Sequence, residues 1–345
     1  MIRVLVAEDS PTSLELITQI LAGDGELTVV GAARDGAAAV EMTKELRPDV
    51  VIMDVHMPVM DGFEATRRIM VDAPTPIVIV SASIDVHEVA VSMHALRLGA
   101  LTLLGKPAGP LSPDYDESAE RFRSTIKAMA KVKVVRRWSS SKPPPPTLAP
   151  PRVSAPIRVV AIGASTGGPA ALYRILTELP ASFAVPILAV QHIASGFVEG
   201  LASWLSAAAP VRVKVGRHLE RMEPGTVYLA PDDHHLGLVD AATIELSQKP
   251  PLGGFRPSAS YLFESTARAH GPRCLALILT GMGQDGLEGL RAVRRAGGRI
   301  IAQDEESSVV FGMPGAAVAD GLADMTLSLD FVAGRLKRLV EEQGR

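Results

Sequence analysis

The segment Gly163-Ala164-Ser165-Thr166-Gly167 sets a serine among small residues in a G-x-S-x-G pattern. Small neighbours permit a sharp strand-to-helix turn that exposes the hydroxyl, and N–H groups at the start of the next helix can hold a developing oxyanion. The same residues also suit a helix cap or a phosphate-binding turn. As a nucleophile, a serine needs a base, and the base needs an orienting group. His192, His218, His234, His235 and His270 are the candidate bases, and His192 directly follows an apolar strand at the sheet edge expected to carry Ser165. His234 and His235 follow Pro231-Asp232-Asp233 without a further Cys or His pair at zinc spacing, so they read as polar loop residues. Asp285 and Asp304 both follow apolar strands, and position does not choose between them as orienting acid.

A second group of reactive types occupies the first third of the chain. Glu8, Asp9 and Asp54 end the first and third expected strands, Ser81 ends the fourth, and Lys106 follows the fifth. Ligands of open α/β sheets bind outside the carboxyl ends of the strands, so these side chains converge. Three carboxylates at one edge repel one another without a cation, and Mg²⁺ suits a few carboxylate oxygens together with phosphate. This pattern predicts a metal-dependent phosphoryl acceptor, with Asp54 as nucleophile and Glu8 and Asp9 helping to hold Mg²⁺. Lys106 and Ser81 would bind the phosphoryl oxygens. Singly, Asp9 could cap the helix opening at Pro11, Ser81 could end a strand and Lys106 could be surface; their joint placement in four loops favours the site.

Strands and helices alternate in both halves. Arg3–Ala7, Thr28–Val30, Val50–Met53, Ile77–Val80 and Leu101–Leu104 give five βα units and a doubly wound parallel sheet. Arg158–Ile162, Pro186–Val190, Val211–Val215, Leu275–Leu279 and Arg299–Ala302 repeat the pattern in a Rossmann-like α/β unit. Thr226–Ala230, Leu236–Leu238 and Thr243–Leu246 read as shorter strands forming a small antiparallel hairpin or edge. Seven of the 26 prolines lie between Pro143 and Pro156, an extended, stiff linker. Ala119–Val135 reads as a helix ending in the basic run Lys131, Lys133, Arg136 and Arg137, which suits a solvated helix C-terminus. The expected domains are 1–130, a Pro/Ser-rich linker at 131–156, and 157–345.

With 345 residues, 47% hydrophobic content and a mean hydropathy of +0.21, the chain can bury two cores. Only 4% is aromatic, which suits Ala, Val, Leu and Ile in a covered parallel sheet. The net charge of −3 argues against a nucleic-acid partner. A single cysteine, no apolar run of about 18 residues and a first strand starting at the N-terminus argue for a cytoplasmic protein without membrane insertion. Cys274 reads as a core residue.

Residues 1 to 130 resemble response-regulator receiver domains in Val6-Ala7-Glu8-Asp9-Ser10, Val51-Ile52-Met53-Asp54 through Met60-Asp61-Gly62, Ser81-Ala82-Ser83 and Lys106-Pro107. The position three before Lys106, where an aromatic is usual, is Leu103. Residues 157 to 340 resemble the protein-glutamate methylesterase family of bacterial chemotaxis, CheB. The matching segments are Gly163 to Pro169, Gln191-His192, Gly225 to Leu236, Arg256-Pro257-Ser258, Leu262 to Ser265, Leu279 to Gly286 and Gly312 to Ala317. Receiver, linker and esterase stand in that family's order. The resemblance implies phosphorylation of Asp54 by a chemotaxis histidine kinase, with Ser81 in the switch. It further implies Ser165 as nucleophile, His192 as base and Asp285 as orienter, with Thr166 and Met282 beside them near the oxyanion, and no cofactor in the esterase site. The implied reaction is hydrolysis of glutamate methyl esters on methyl-accepting chemotaxis receptors, with glutamine deamidation as a second activity. The unphosphorylated receiver is expected to restrain the serine site. A phosphorylation-dependent adaptor and a DNA-binding regulator are the competing classes. Filled Ser, His and Asp positions argue against the first, and a large α/β output unit against the second.

Overall fold

In this computed structural model the described residues are 1–81, 89, 90, 92–132 and 155–341. The chain divides into two compact units, Met1–Ser141 and Lys142–Arg345. The proline cluster up to Pro151, the basic residues Lys133, Arg136 and Arg137, and Ala82 and Ser83 lie outside the described residues.

The first unit holds β1 (Ile2–Ala7), β2 (Leu27–Ala33), β3 (Val50–Asp54), β4 (Ile77–Ser81) and β5 (Thr102–Gly105), all parallel, in the order β2-β1-β3-β4-β5. Continuous runs such as Val50-Val51-Ile52-Met53 are buried throughout, as strands covered on both faces require. The order reverses between β1 and β3, which brings the ends carrying Glu8 and Asp54 side by side. The helix Pro11–Ala22 has Pro at its first turn, and its cap is Ser10, which accepts from the Ser13 amide at 3.4 Å. Asp9 is therefore not the cap, contrary to one reading of the sequence. Leu103 is buried at 5% exposure.

In the second unit β6 (Val159–Ala164), β7 (Ile187–Gln191), β8 (Arg212–Val215), β9 (Thr226–Leu229), β12 (Cys274–Ile278), β13 (Arg299–Gln303) and β14 (Met325–Leu327) form a parallel sheet in the order β14-β13-β12-β6-β7-β9-β8. β10 (His235–Leu238) and β11 (Ile244–Ser247) make a separate antiparallel hairpin. Of the three short strands expected near the hairpin, Thr226–Leu229 instead joins the main sheet. β14 escapes the sequence pattern because three residues carry no period. Cys274 is fully buried at the start of β12, and burial pushes its thiol up to about 11. Among the described residues no helix is long and apolar enough to cross a membrane.

The helix Ala259–His270 lies between this sheet and the hairpin. Its Phe263 and Ala259 pack on Gly163 of β6, and the Ser265 hydroxyl accepts from the Leu238 amide of β10 at 2.8 Å. The helix Leu287–Arg295 packs closely against it, because Gly289 has no side chain. A Cβ there would come within 2.4 Å of the Ser260 carbonyl oxygen and 2.7 Å of Phe263 Cβ. Gly289→Ala sets a helix-propensity gain of about 1 kcal/mol against an overpacking cost of about 1–3 kcal/mol. A net destabilisation of about 0–2 kcal/mol in urea unfolding is expected, and a gain in stability would show that the two helices can separate without cost.

Candidate active and phosphoryl-acceptor sites

Ser165, His192 and Asp285 come from the ends of three adjacent strands, β6, β7 and β12, with the first strand of the unit in the middle. Ser165 stands in the turn between β6 and the helix Gly168–Thr177. Its amide donates to the Thr280 carbonyl at 3.0 Å, and its own carbonyl accepts from the Gly168 amide at 2.8 Å. Gln191, the last residue of β7, donates through Nε2 to the carbonyls of both Ser165 and His192, each at 2.8 Å. The His192 amide in turn donates to the Ala164 carbonyl at 2.9 Å. The serine turn and the histidine loop are thus fastened together by their backbones and by the Gln191 amide, a part that no spacing or period in the sequence marks. Thr166 accepts from the Thr280 hydroxyl at 2.9 Å. Met282 follows Gly281, where an added Cβ would lie 2.7 Å from Ser165 Cβ. Thr166 and Gly281 therefore lie beside the serine.

Asp285 Oδ2 lies 3.0 Å from His192 Nε2. The same carboxylate accepts from the Ser258 hydroxyl at 2.8 Å, the Ala259 amide at 2.6 Å, the Ser260 amide at 3.1 Å and the Gly286 amide at 2.8 Å. It therefore sits on the N-terminus of the helix Ala259–His270, where free amides and the helix dipole favour an anion. Burial alone would raise its pKa, but the His192 contact, the Ser258 hydroxyl and the Ala259 amide together hold it at about 2. His192 Nδ1 is buried and has no hydrogen-bond partner. Phe255 stacks on the His192 ring, with centroids 4.3 Å apart and planes 7° from parallel.

The other candidates fall elsewhere. Asp304 accepts from the Ser307 amide and hydroxyl at 3.0 and 2.6 Å, closing its own turn. His218 Nδ1 accepts from the Leu246 amide, and His234 Nδ1 lies 2.9 Å from the Asp232 carbonyl. His270 ends the helix whose start holds Asp285. His235 is not a loop residue: it opens β10, is fully buried and stacks on Tyr261 at 4.6 Å. Its Nδ1 accepts from the Ser258 amide at 3.2 Å, so the proton resides on Nε2, which donates to the Pro250 carbonyl at 3.1 Å. Burial lowers the pKa of His235, keeping it neutral for that acceptor role. Two signals pointed this way in the sequence: Ser258 is a cap residue before an amphipathic run, and His235 leads a short apolar strand.

In the first unit Lys106 Nζ reaches Asp54 Oδ2 at 2.8 Å and Glu8 Oε2 at 2.7 Å. Glu8 is fully buried, Asp54 is 5% exposed and Ser81 3% exposed. Burial, aided by the Asp54 charge, pushes the Glu8 carboxyl above its ordinary value against the opposing pull of Lys106. For Lys106, burial is outweighed by its hydrogen bonds to Asp54 and Glu8, and its pKa is raised. Oxygens of Glu8, Asp9 and Asp54 lie within 4.8 Å of one another. Three hard oxygen donors, one of them on an exposed side chain, fit a cation that keeps water and phosphate in its shell.

The CheB methylesterase family profile matches residues 160–336, and that of the response regulator receiver domain matches 4–111. A protein-glutamate methylesterase/protein-glutamine glutaminase of Myxococcus xanthus is 58% identical over 97% of this chain and 96% of its own. One of Anaeromyxobacter dehalogenans is 52% identical over 97% and 98%. The crystal structure of the Thermotoga maritima CheB methylesterase catalytic domain is 38% identical and superposes with a TM-score of 0.52, covering 54% of this chain and all of that one.

A carboxylate held at about 2 when folded and at about 3.9 when unfolded stabilises the fold above the unfolded value, and the stabilisation is lost as pH falls toward the folded value. Asp285→Asn should therefore flatten the acid loss of stability between roughly pH 4 and 2, by on the order of 2 kcal/mol, in urea titrations across pH. An unchanged slope would mean that the carboxylate is not held ionised by its neighbours.

Proposed function

The chain belongs to the CheB methylesterase family and carries a response regulator receiver domain ahead of the catalytic unit; on that premise we propose how its residues act. The reaction is hydrolysis of glutamate methyl esters on methyl-accepting chemotaxis receptors, in the cytoplasm. Receiver, linker and catalytic unit are assigned to 1–130, 131–156 and 157–345. The observation that carries the site assignment is the His192–Asp285 pair fastened beside Ser165 at the ends of adjacent strands.

With Nε2 committed to Asp285, the ring nitrogen left for the serine proton is Nδ1, buried and otherwise unpartnered. This is the reverse of the serine-protease arrangement, in which the acid holds Nδ1. Ser165 Oγ attacks the ester carbonyl carbon as its proton passes to His192, and Asp285 stabilises the imidazolium. The resulting oxyanion is placed beside Thr166 and Met282. On collapse the methoxy oxygen takes the proton from His192 and leaves as methanol, giving an acyl ester on Ser165. Water then gives a proton to His192 and attacks the acyl carbon; as the acyl–oxygen bond breaks, Ser165 Oγ takes that proton back from His192, and the glutamic acid formed loses its proton to solvent as the carboxylate. Receptor glutamine follows the same course with ammonia leaving, the second activity in the names of the relatives.

Control is assigned to Asp54. Its carboxylate takes the phosphoryl group of a chemotaxis kinase's phosphohistidine, a P–O bond forming as the P–N bond breaks. Glu8, Asp9 and Asp54 would hold Mg²⁺, which when bound offsets the charge gathered there. Lys106, which bridges Asp54 and Glu8, would follow the phosphoryl oxygens, with Ser81 as its partner in the switch.

Methanol release from methylated receptors tests both halves. Ser165→Ala should lower kcat on the order of 10⁶-fold; retained turnover would remove Ser165 as nucleophile. A small-molecule phosphodonor with Mg²⁺ should raise the rate of the full chain, and Asp54→Asn should abolish that rise. A rise that survives Asp54→Asn would place the control elsewhere.

A further inference from the structure

Leu252 and Phe255 exchange backbone hydrogen bonds of 3.1 and 3.0 Å around Gly253 and Gly254, whose φ values are 60° and 86°. Two consecutive positive φ angles are the mark of a tight mirror-image hairpin turn, which glycine takes without a side-chain clash. The base of the turn is fixed by Arg256. Its Nε and Nη2 donate to Asp233 Oδ1 at 2.8 and 2.5 Å, and Nη1 donates to the carbonyls of Gln248 and Lys249 at 3.2 and 3.3 Å. His235, which donates to the Pro250 carbonyl, ties the same base to Ser258 and so to Asp285.

What this support presents is one phenyl ring, parallel to the His192 imidazole. Phe255 remains 36% exposed while the His192 side chain is only 11% exposed, so the phenyl ring stands toward the surface and covers one face of the base. We propose that Phe255 is a positioning residue for catalysis, fixing the plane of the His192 ring so that Nε2 meets Asp285 while Nδ1 is left for Ser165. The inference rests on the assignment of His192 as base. A flat ring against a flat ring restricts tilting of the imidazole, and the Asp285 hydrogen bond then selects its orientation within that plane. The contact also changes during turnover. Once His192 has taken the serine proton it is a cation lying on the electron-rich face of an aromatic ring, an attraction absent from the neutral ground state. An interaction stronger in the transition state than with bound substrate raises kcat without lowering KM.

The test uses the full chain and compares Phe255→Leu, which keeps apolar bulk but loses the flat face, with Phe255→Tyr and Phe255→Trp. In methanol release from methylated receptors, Phe255→Leu should lower kcat about 5- to 30-fold with KM within about twofold of wild type. Its melting temperature should stay unchanged, and the two aromatic variants should regain most of the rate. Labelling of Ser165 by a small fluorophosphonate, which needs the same activated serine without receptor docking, should slow in parallel. Unchanged kcat in Phe255→Leu, or a rise in KM alone, would overturn the proposal, the latter by making Phe255 a substrate contact. Should the wild-type chain release no methanol, the substrate assignment falls, and the labelling rates still decide the role of Phe255.

Discussion

A buried carboxylate is the constraint around which the catalytic unit is organised. Asp285 is taken out of water, and an isolated ionised carboxylate there would simply take up a proton. It remains charged because five groups from three parts of the chain meet it: His192, the Ser258 hydroxyl, the Ala259 and Ser260 amides, and the Gly286 amide. That requirement dictates where the helix Ala259–His270 must start. It also explains why Gly163 and Gly289 let that helix approach a strand and a second helix so closely. Moving the helix by an ångström would cost the carboxylate two amides and a hydroxyl together.

The first unit meets a like problem with a different device. Glu8 and Asp54 are both buried near each other; the amide of Ser10, the cap of the helix Pro11–Ala22, donates to Glu8 at 3.2 Å, and a single ammonium, Lys106, spans both carboxylates. One arrangement uses fixed backbone dipoles and is suited to a group whose charge should not change. The other uses a flexible side chain beside the exposed Asp9, and is suited to a place where charge arrives and leaves. The two sheets share the geometric principle that strand ends around the first strand of the unit gather side chains far apart in sequence.

Much of this was legible beforehand because its physics is local. Unbroken runs such as Val50-Val51-Ile52-Met53 announce strands covered on both faces, and Gly163 to Gly167 announces a turn that exposes a serine. Strand-end position put Glu8, Asp54 and Lys106 together, but left Asp285 and Asp304 level; only the tertiary partners separate them, since one meets a helix N-terminus and His192 while the other closes its own turn. His235 reads as a loop residue because a histidine beside two aspartates looks polar, whereas its neutral buried state depends on Ser258 and Pro250, 23 and 15 residues away. Phe255 carried no signal at all, since aromatic stacking across 63 residues has no period to detect. Thr226–Leu229 joined the main sheet because strand partners are chosen by the whole topology and not by a strand's neighbours in sequence.

Cys274 has a practical bearing quite apart from the chemistry of either site. The chain's one thiol is enclosed at the start of β12, contacts Thr266 and is pushed up to about 11, so its thiolate form is scarce at neutral pH. Alkylating reagents therefore meet a chain that is silent toward them while folded. A cysteine introduced at any exposed position becomes the sole reporter handle for a fluorophore or spin label, with no need to delete a native residue first. Conversely, uptake of reagent by the unaltered protein would serve as a clock for the opening of the central sheet.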